Sequence, residues 1–528
     1  MTTVDFNLCA DLTTLAALLM APLILYAEMH YRLPLFRGIL YRNQPEIIFD
    51  LPRRSETGSI PILLLIKDAH WFPVTIEKIR VRLMDCHGKP VTGDITIPVG
   101  IGVRTKWFTK ICEIDATDYQ NQWVYVDCFA IVTCGKKALT VHNDNYRTLS
   151  QKPFKIFIDP DPLPQADGWL WGDLHTHSAY TEDQVEFGAP LDCYRPLART
   201  MGISFCAVTD HSYDLDDRPD SWTERDPDLL KWQRFQEDIQ KLNQTSRDFL
   251  LIPGEEVSVD NGFGRTVHLN VLNDPNFHIG SGDGLEKSLG KLTESHYAAV
   301  LGSISDTALA FAAHPFEKPP FWHRLLIHRG VWNRWDYHPC LGGFQILNGN
   351  PAEDFKAGKA FWIEQLLKNR RQKIYAGNDS HGNFNRFRQV LIPLLSMHEH
   401  RHQVYGQNLT GIKADLDGGI KSLISALKGE NVIISNGPFV CFEPRTTDRI
   451  EVKARSTPFF GALRQLTIFC GDLEKKREVI FRQESFQPGQ TEGSTQLSLE
   501  NYPQKAYLRA ELVTQKGHFA LTNPVWLK

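Results

Sequence analysis

The chain lacks a surplus of charge of either sign: 58 Lys and Arg stand against 62 Asp and Glu, a formal net charge of -4 over 528 residues. Non-specific nucleic-acid binding rests on clustered basic residues, so no nucleic-acid partner is expected. Close cysteine pairs are also lacking. The ten cysteines, from Cys9 and Cys86 to Cys441 and Cys470, are scattered, which argues against zinc knuckles and CxxC redox motifs. They read as reduced thiols of a cytoplasmic protein, with a Cys128–Cys134 disulfide left open. No low-complexity tract and no fixed-period repeat is present. The apolar run Leu12 to Ala27 (LTTLAALLMAPLILYA) falls short of the roughly 20 residues that cross a bilayer as a helix. Asp5 and Asp11 precede it where a cleaved signal would carry basic residues. Two readings stay open: a membrane anchor, with Arg32, Arg37 and Arg42 holding the rest of the chain in the cytoplasm, or a helix packed on the body of the protein.

What is present is the composition of a globular chain, 42% hydrophobic and 23% charged, long enough for about three domains. After the apolar segment of residues 1–42, residues 43–164 show period-two alternation broken by turns, as in Ile79-Arg80-Val81-Arg82-Leu83, and predict a β-sandwich. The Pro-rich stretch Asp159 to Gly168 marks a boundary. Residues 169–437 alternate short apolar strands with amphipathic stretches such as Asp228 to Leu242. That βα rhythm predicts a parallel sheet, open or closed into a barrel, with its chemistry at the C-terminal ends of the strands. Beyond Asn436-Gly437-Pro438, residues 438–528 return to β patterning and predict a second, smaller sandwich.

The chemistry begins at GDLHTH. On a strand, residues i and i+2 project to one face, so His175 and His177 can reach one metal ion. Further polar groups follow or sit within short apolar segments: Thr209-Asp210-His211, Gly254-Glu255-Glu256, His268 in VHLNVL, His314 in AHPF, and Asp379 with His381 in GNDSHG. So many buried ionisable groups are too costly without metal or ion pairing to offset desolvation. Glu255, one residue before Glu256, faces the other way on a strand and is not expected to be a ligand. Asp173 and Asp210 sit beside ligand histidines and are expected to accept their second ring N–H, or else to serve as turn residues. His398, His400 and His402 lack an apolar strand and read as a solvated face.

HxH, TDH, GxE, an isolated His, AHP and DxH in this order resemble the PHP (polymerase and histidinol phosphatase) superfamily over residues 169–437. The flanking β regions, the NGP and the ALTNP near the C-terminus make the chain similar to its CehA/McbA-type metallohydrolases. The resemblance implies an α/β fold, a distorted (βα)7 TIM-like barrel flanked by β-sandwiches, and a site for two or three divalent ions, commonly zinc, manganese or iron. It implies that His175, His177, Glu256 and Asp379 hold a first metal. Glu256 bridges to a second held also by His268 and His314, and His211 and His381 take a third. Glu182 falls where a common family pattern completes that third site with Asp, and Asp183 where others have His.

Such ions lower the pKa of a bound water and neutralise charge on the attacked group. The leading expectation is a phosphoesterase acting on a small phosphate ester, with Glu256 bridging and His211 or His381 protonating the leaving group. Hydrolysis of a carboxylic ester or carbamate is the alternative, and a non-catalytic binding protein the third reading. Lys318, Arg324, Arg386 and Arg388, in loops after strand ends, are the candidate phosphate-binding cations, each weighed against an ordinary surface charge.

Overall fold

The computed structural model describes residues 44–146, 150–182, 187–219, 221–280, 293–319, 321–326, 328–332, 336–351, 353–386, 389–392, 395–398, 403–444, 449–498, 503 and 505–527. Leu12 to Ala27 lie outside them. Among the described residues no helix is long and apolar enough to cross a membrane.

Residues 46–158 form two sheets over one core. Glu46–Asp50, Ser59–Lys67 and Trp107–Asp115 make an antiparallel three-stranded sheet, and a six-stranded sheet faces it. Ser59–Lys67 is an unbroken apolar run because both its faces are covered. Ile60, Ile62, Leu64 and Ile66 point into the core between the two sheets, whereas Leu63 and Leu65 pack on Trp169, Trp171 and Phe384 of the next region. Cys128 and Cys134 are free thiols on one strand, Gln122–Cys134. Six residues of extended chain, roughly 20 Å, put them far beyond bridging distance.

The large sheet carries the sequence motifs. Its strands are β1 (Trp169–His177), β2 (Phe205–His211), β3 (Leu250–Asp260), β4 (Thr266–Leu272), β5 (Leu309–Ala312), β6 (Leu341–Asn348), β7 (Lys373–Gly377), β8 (Ser380–His381), β9 (Leu409–Lys413), β10 (Val432–Ser435), β11 (Leu463–Asp472), β12 (Arg477–Ser485), β13 (Ala506–Thr514), β14 (Phe519–Thr522) and β15 (Val525–Leu527). Their order is β7-β6-β5-β4-β3-β2-β1-β9-β10-β14-β13-β11-β12, with β8 paired to β1 and β15 to β13.

The expected helix-rich (βα)7 TIM-like barrel is not what forms. Among the described residues strands take up 46% and helices 17%, too little helix for a crossover between every pair of strands. A short turn reverses the chain after β3, so β4 runs antiparallel to both β3 and β5. The free edge of β1, where a closing strand would bind, is taken by β9 over Trp169 to Gly172. The two-residue β8 pairs only with Thr176 and His177. From β9 the ladder continues antiparallel through β10 and β14, Ile434 opposite Leu521, so one open sheet crosses the boundary expected at residue 437. Beyond it, Phe439–Pro444, Arg449–Arg455 and Glu492–Ser498 form a small sheet sharing the core of Val440, Val452, Leu466, Ile468 and Leu508 with β11 and β13.

Candidate metal centre

Strands β1, β2, β3, β5, β6 and β7 run parallel in this sheet while β4 runs against them. The ligand-type residues collect at one edge. His175 and His177 close β1, His211 closes β2, Glu256 lies within β3, His314 follows β5, and Asp379 and His381 lie at and after the β7–β8 junction. Because β4 is reversed, His268 reaches this edge from its N-terminal half.

Glu256 is the hub. Its carboxylate lies 3.4 Å from His175 Nε2, 3.4 Å from His177 Nε2, 3.1 Å from His211 Nδ1 and 3.0 Å from His314 Nε2, and in contact with His268 Nδ1. Asp379 Oδ1 lies 3.3 Å from His175 Nε2 and 3.1 Å from His177 Nε2. Among the described residues three groups have donor atoms within 4.8 Å of one another: His175, His177, Glu256 and Asp379; Glu256, His268 and His314; and His177, His211 and His381.

These residues fit divalent ions. With bonds of about 2.1 Å, the edge of a tetrahedral coordination shell is roughly 3.4 Å, close to the separations between these donor atoms. Hydrogen bonding links most of these groups but leaves three of their atoms out. His175 Nε2 and His177 Nε2 lie 3.3 Å apart, His177 Nδ1 is buried without a hydrogen-bond partner, and His211 Nδ1 and Glu256 Oε2 approach without making a hydrogen bond. Burial opposes charge on His177, yet Asp379 and Glu256 raise its pKa to about 10. Burial likewise opposes charge on His314, and Glu256 raises it to about 9. Divalent cations displace such protons on binding. Burial, then the neighbouring His177, lowers His211 to about 4. Two of the candidate ligands also sit at positive φ, His314 at 27° and Asp379 at 51°, a conformation that surrounding structure must enforce.

The outer partners differ from those expected. Gln345 Oε1 accepts from His175 Nδ1 at 2.8 Å, which leaves Nε2 for a metal, and Gln403 donates to Asp379 Oδ2 at 3.2 Å. Asp173 and Asp210 order backbone instead of binding imidazole N–H groups. Asp173 accepts from the amides of His175, Asn378 and Gly406 and from the Asn378 side chain. Asp210 accepts from Ser178 and Thr181, main chain and hydroxyl alike, and so shapes the chain leaving β1. Glu255 points to the other face, where Ser212 and the His278 amide donate to it.

Glu182 is drawn to the surface by Lys106 at 2.8 Å and stands outside all three groups, while Asp183 lies outside the described residues. The group formed by His177, His211 and His381 therefore holds no carboxylate among the described residues. Arg386 is buried and ion-paired to Asp50 at 3.2 Å, a structural cation and not a substrate contact. Lys318 and Arg324 are exposed, and Arg388, His400, His402 and the side chain of His398 lie outside the described residues. Among the described residues the cation at the centre is Arg329, whose Nη1 contacts His268 Nε2 and whose Nη2 donates to His268 Nδ1 at 2.9 Å. Gln345 had a signal, as the polar residue in the apolar strand GGFQILN; Arg329 comes from a loop with none.

No family model matches the chain, and no curated protein matches it. Among solved structures it is similar to a structural-genomics target protein (13% identity over 22% of this chain and 85% of that chain, TM-score 0.13). Another is a glycosyl hydrolase family 2 member from Bacteroides cellulosilyticus (9%, 90% and 68%, TM-score 0.16). A third is a β-glucuronidase of Parabacteroides merdae (8%, 92% and 77%, TM-score 0.18). Scores this low carry neither fold nor activity to this chain.

Proposed function

We propose that the chain is a metal-dependent hydrolase related to the PHP superfamily, and that its substrate is a small phosphate ester. The observation that carries this reading is the convergence of His175, His177, His211, His268 and His314 on the single carboxylate of Glu256, with Asp379 opposite. When bound, divalent ions supply a water of lowered pKa and neutralise charge on the attacked group.

The chain's own residues set the rest. Gln345 and Gln403 orient His175 and Asp379. Arg329 is half-buried with both terminal nitrogens on the His268 ring, and a phosphate would draw its planar fork from that imidazole. A cation next to a cationic centre is favourable when an anion lies between them, which favours phosphate over a neutral carbonyl substrate. Of the two imidazoles considered as acids, His211 is held neutral by burial and suits a ligand's role, and His381 protonates the leaving group where it does not itself hold an ion with His177 and His211.

The test is to load the full chain with manganese or zinc and assay phosphate monoesters and diesters beside carboxylic esters and carbamates. Turnover of phosphate esters is expected. Preference for carbonyl substrates overturns the substrate assignment, and turnover of neither class by metal-loaded protein overturns the enzyme.

A further inference from the structure

Asp50 ends the N-terminal strand Glu46–Asp50 and is 1% exposed. Its carboxylate receives three successive amides of the chain that follows His381: Phe384 N at 2.8 Å, Asn385 N at 3.0 Å and Arg386 N at 3.1 Å. Arg386 Nε completes the cradle at 3.2 Å, and the same guanidinium turns back to donate to the Gly382 carbonyl at 3.1 Å. Gly382 directly follows His381 and sits at φ 58°, where a Cβ would lie 1.9 Å from the Ala189 amide nitrogen. Asn385 reaches the other way and donates to the Lys155 and Pro52 carbonyls at 2.9 and 3.3 Å. Phe384 is buried in the apolar core shared with Ile48, Leu63 and Leu65.

We propose that Asp50 is a positioning residue for the metal centre, through which the N-terminal β unit sets the loop that carries Asp379 and His381. The proposal rests on the metal-site reading above. Apolar docking alone would need no charge at this seam, since an ionised carboxylate is costly to bury unless donors converge on it. Here all of the loop's donors come from the five residues after His381. Asp379 holds a positive φ that only an over-determined surrounding maintains, and this clamp supplies that constraint from one side, as Gln403 does from the other. The N-terminal unit is then part of the site's scaffold, and partners that orient metal ligands cost metal affinity when lost.

The experiment compares the full chain with Asp50→Asn, which keeps the size but turns one acceptor into a donor facing donors. Affinity for manganese or zinc alone is measured by chelator competition, and amide exchange over 382–386 is followed in metal-free protein. Asp50→Asn is expected to weaken metal binding about 10- to 100-fold and to speed exchange in the loop. Asp127→Asn serves as the structural control, since Asp127 pairs with His142 and Asn143 inside the N-terminal unit; it is expected to lower the melting temperature and leave metal affinity unchanged. Metal affinity and loop exchange at wild-type levels in Asp50→Asn overturn the proposal, whatever the melting temperature. If that variant does not fold, Asn385→Ala removes only the bonds to Pro52 and Lys155 and decides the matter: weaker binding supports the clamp, and unchanged binding with unchanged exchange overturns it. A wild-type chain that binds neither ion overturns the site reading and this proposal with it, an outcome distinct from a variant that binds as wild type.

Discussion

The Arg509 cluster of the C-terminal region and the Glu256 cluster of the central sheet both bury ionisable side chains, and they differ in how those charges are matched. Arg509 is 1% exposed and donates to Glu478 at 2.8 and 2.6 Å and to Glu511 at 2.5 Å. Tyr507 adds a bond to Glu478, and Lys359 pairs with Glu511 at 3.0 Å. Cations and carboxylates meet pairwise there, so the cluster is complete within the protein. Around Glu256 the protein gathers imidazoles in excess of carboxylates, five of them on one carboxylate. Burial of charge alone does not mark a site; an excess of imidazoles converging on one buried carboxylate does.

The largest effect that could break this comparison is expected at the centre. His177→Ala and Asp379→Ala should each lower turnover by more than about 100-fold, the upper range for outer partners of metal ligands, with far-UV circular dichroism unchanged. Normal activity in either would place the centre elsewhere. At the other cluster, Arg509→Ala should cost roughly 3–5 kcal/mol of stability by leaving Glu478 and Glu511 buried and unpaired, read in denaturant titrations, while metal content per folded chain stays the same. A change in metal content there would merge the two clusters in function.

Next in size, Arg329→Met should raise KM for phosphate esters by about tenfold, the value of one charge-assisted hydrogen bond of about 1.5 kcal/mol. It should change carbonyl-ester turnover less, and equal losses on both substrate classes would show that Arg329 does not read phosphate. The smallest effects belong to Lys318→Ala and Arg324→Ala. As exposed side chains away from special features, each should stay within about 0.5 kcal/mol of wild type in stability and leave KM unchanged.

How much of this was legible before folding divides by range. The site was legible because its signals are local: a strand projects His175 and His177 to one face and separates Glu256 from Glu255, and apolar residues before His211 and Asp379 place them at strand ends. The fold was less so. The reversal of β4 looks in sequence like one more apolar strand, and the pairing of β1 with β9 joins residues some 240 positions apart in the chain. The continuation from Ile434 to Leu521 likewise has no local signal, so the run of one sheet past residue 437 was not legible. Arg386 illustrates the same limit. Its position near the Asp379 loop suggested phosphate, but Asp50, far away in sequence, claims it.

Ion content of the purified full chain, measured by elemental mass spectrometry after dialysis, tests the central claim most directly. Two or three divalent ions per chain are expected, falling in Asp379→Ala while Arg509→Ala, where folded, retains them. No bound ion in the wild-type chain, or the full complement kept in Asp379→Ala, would contradict the account.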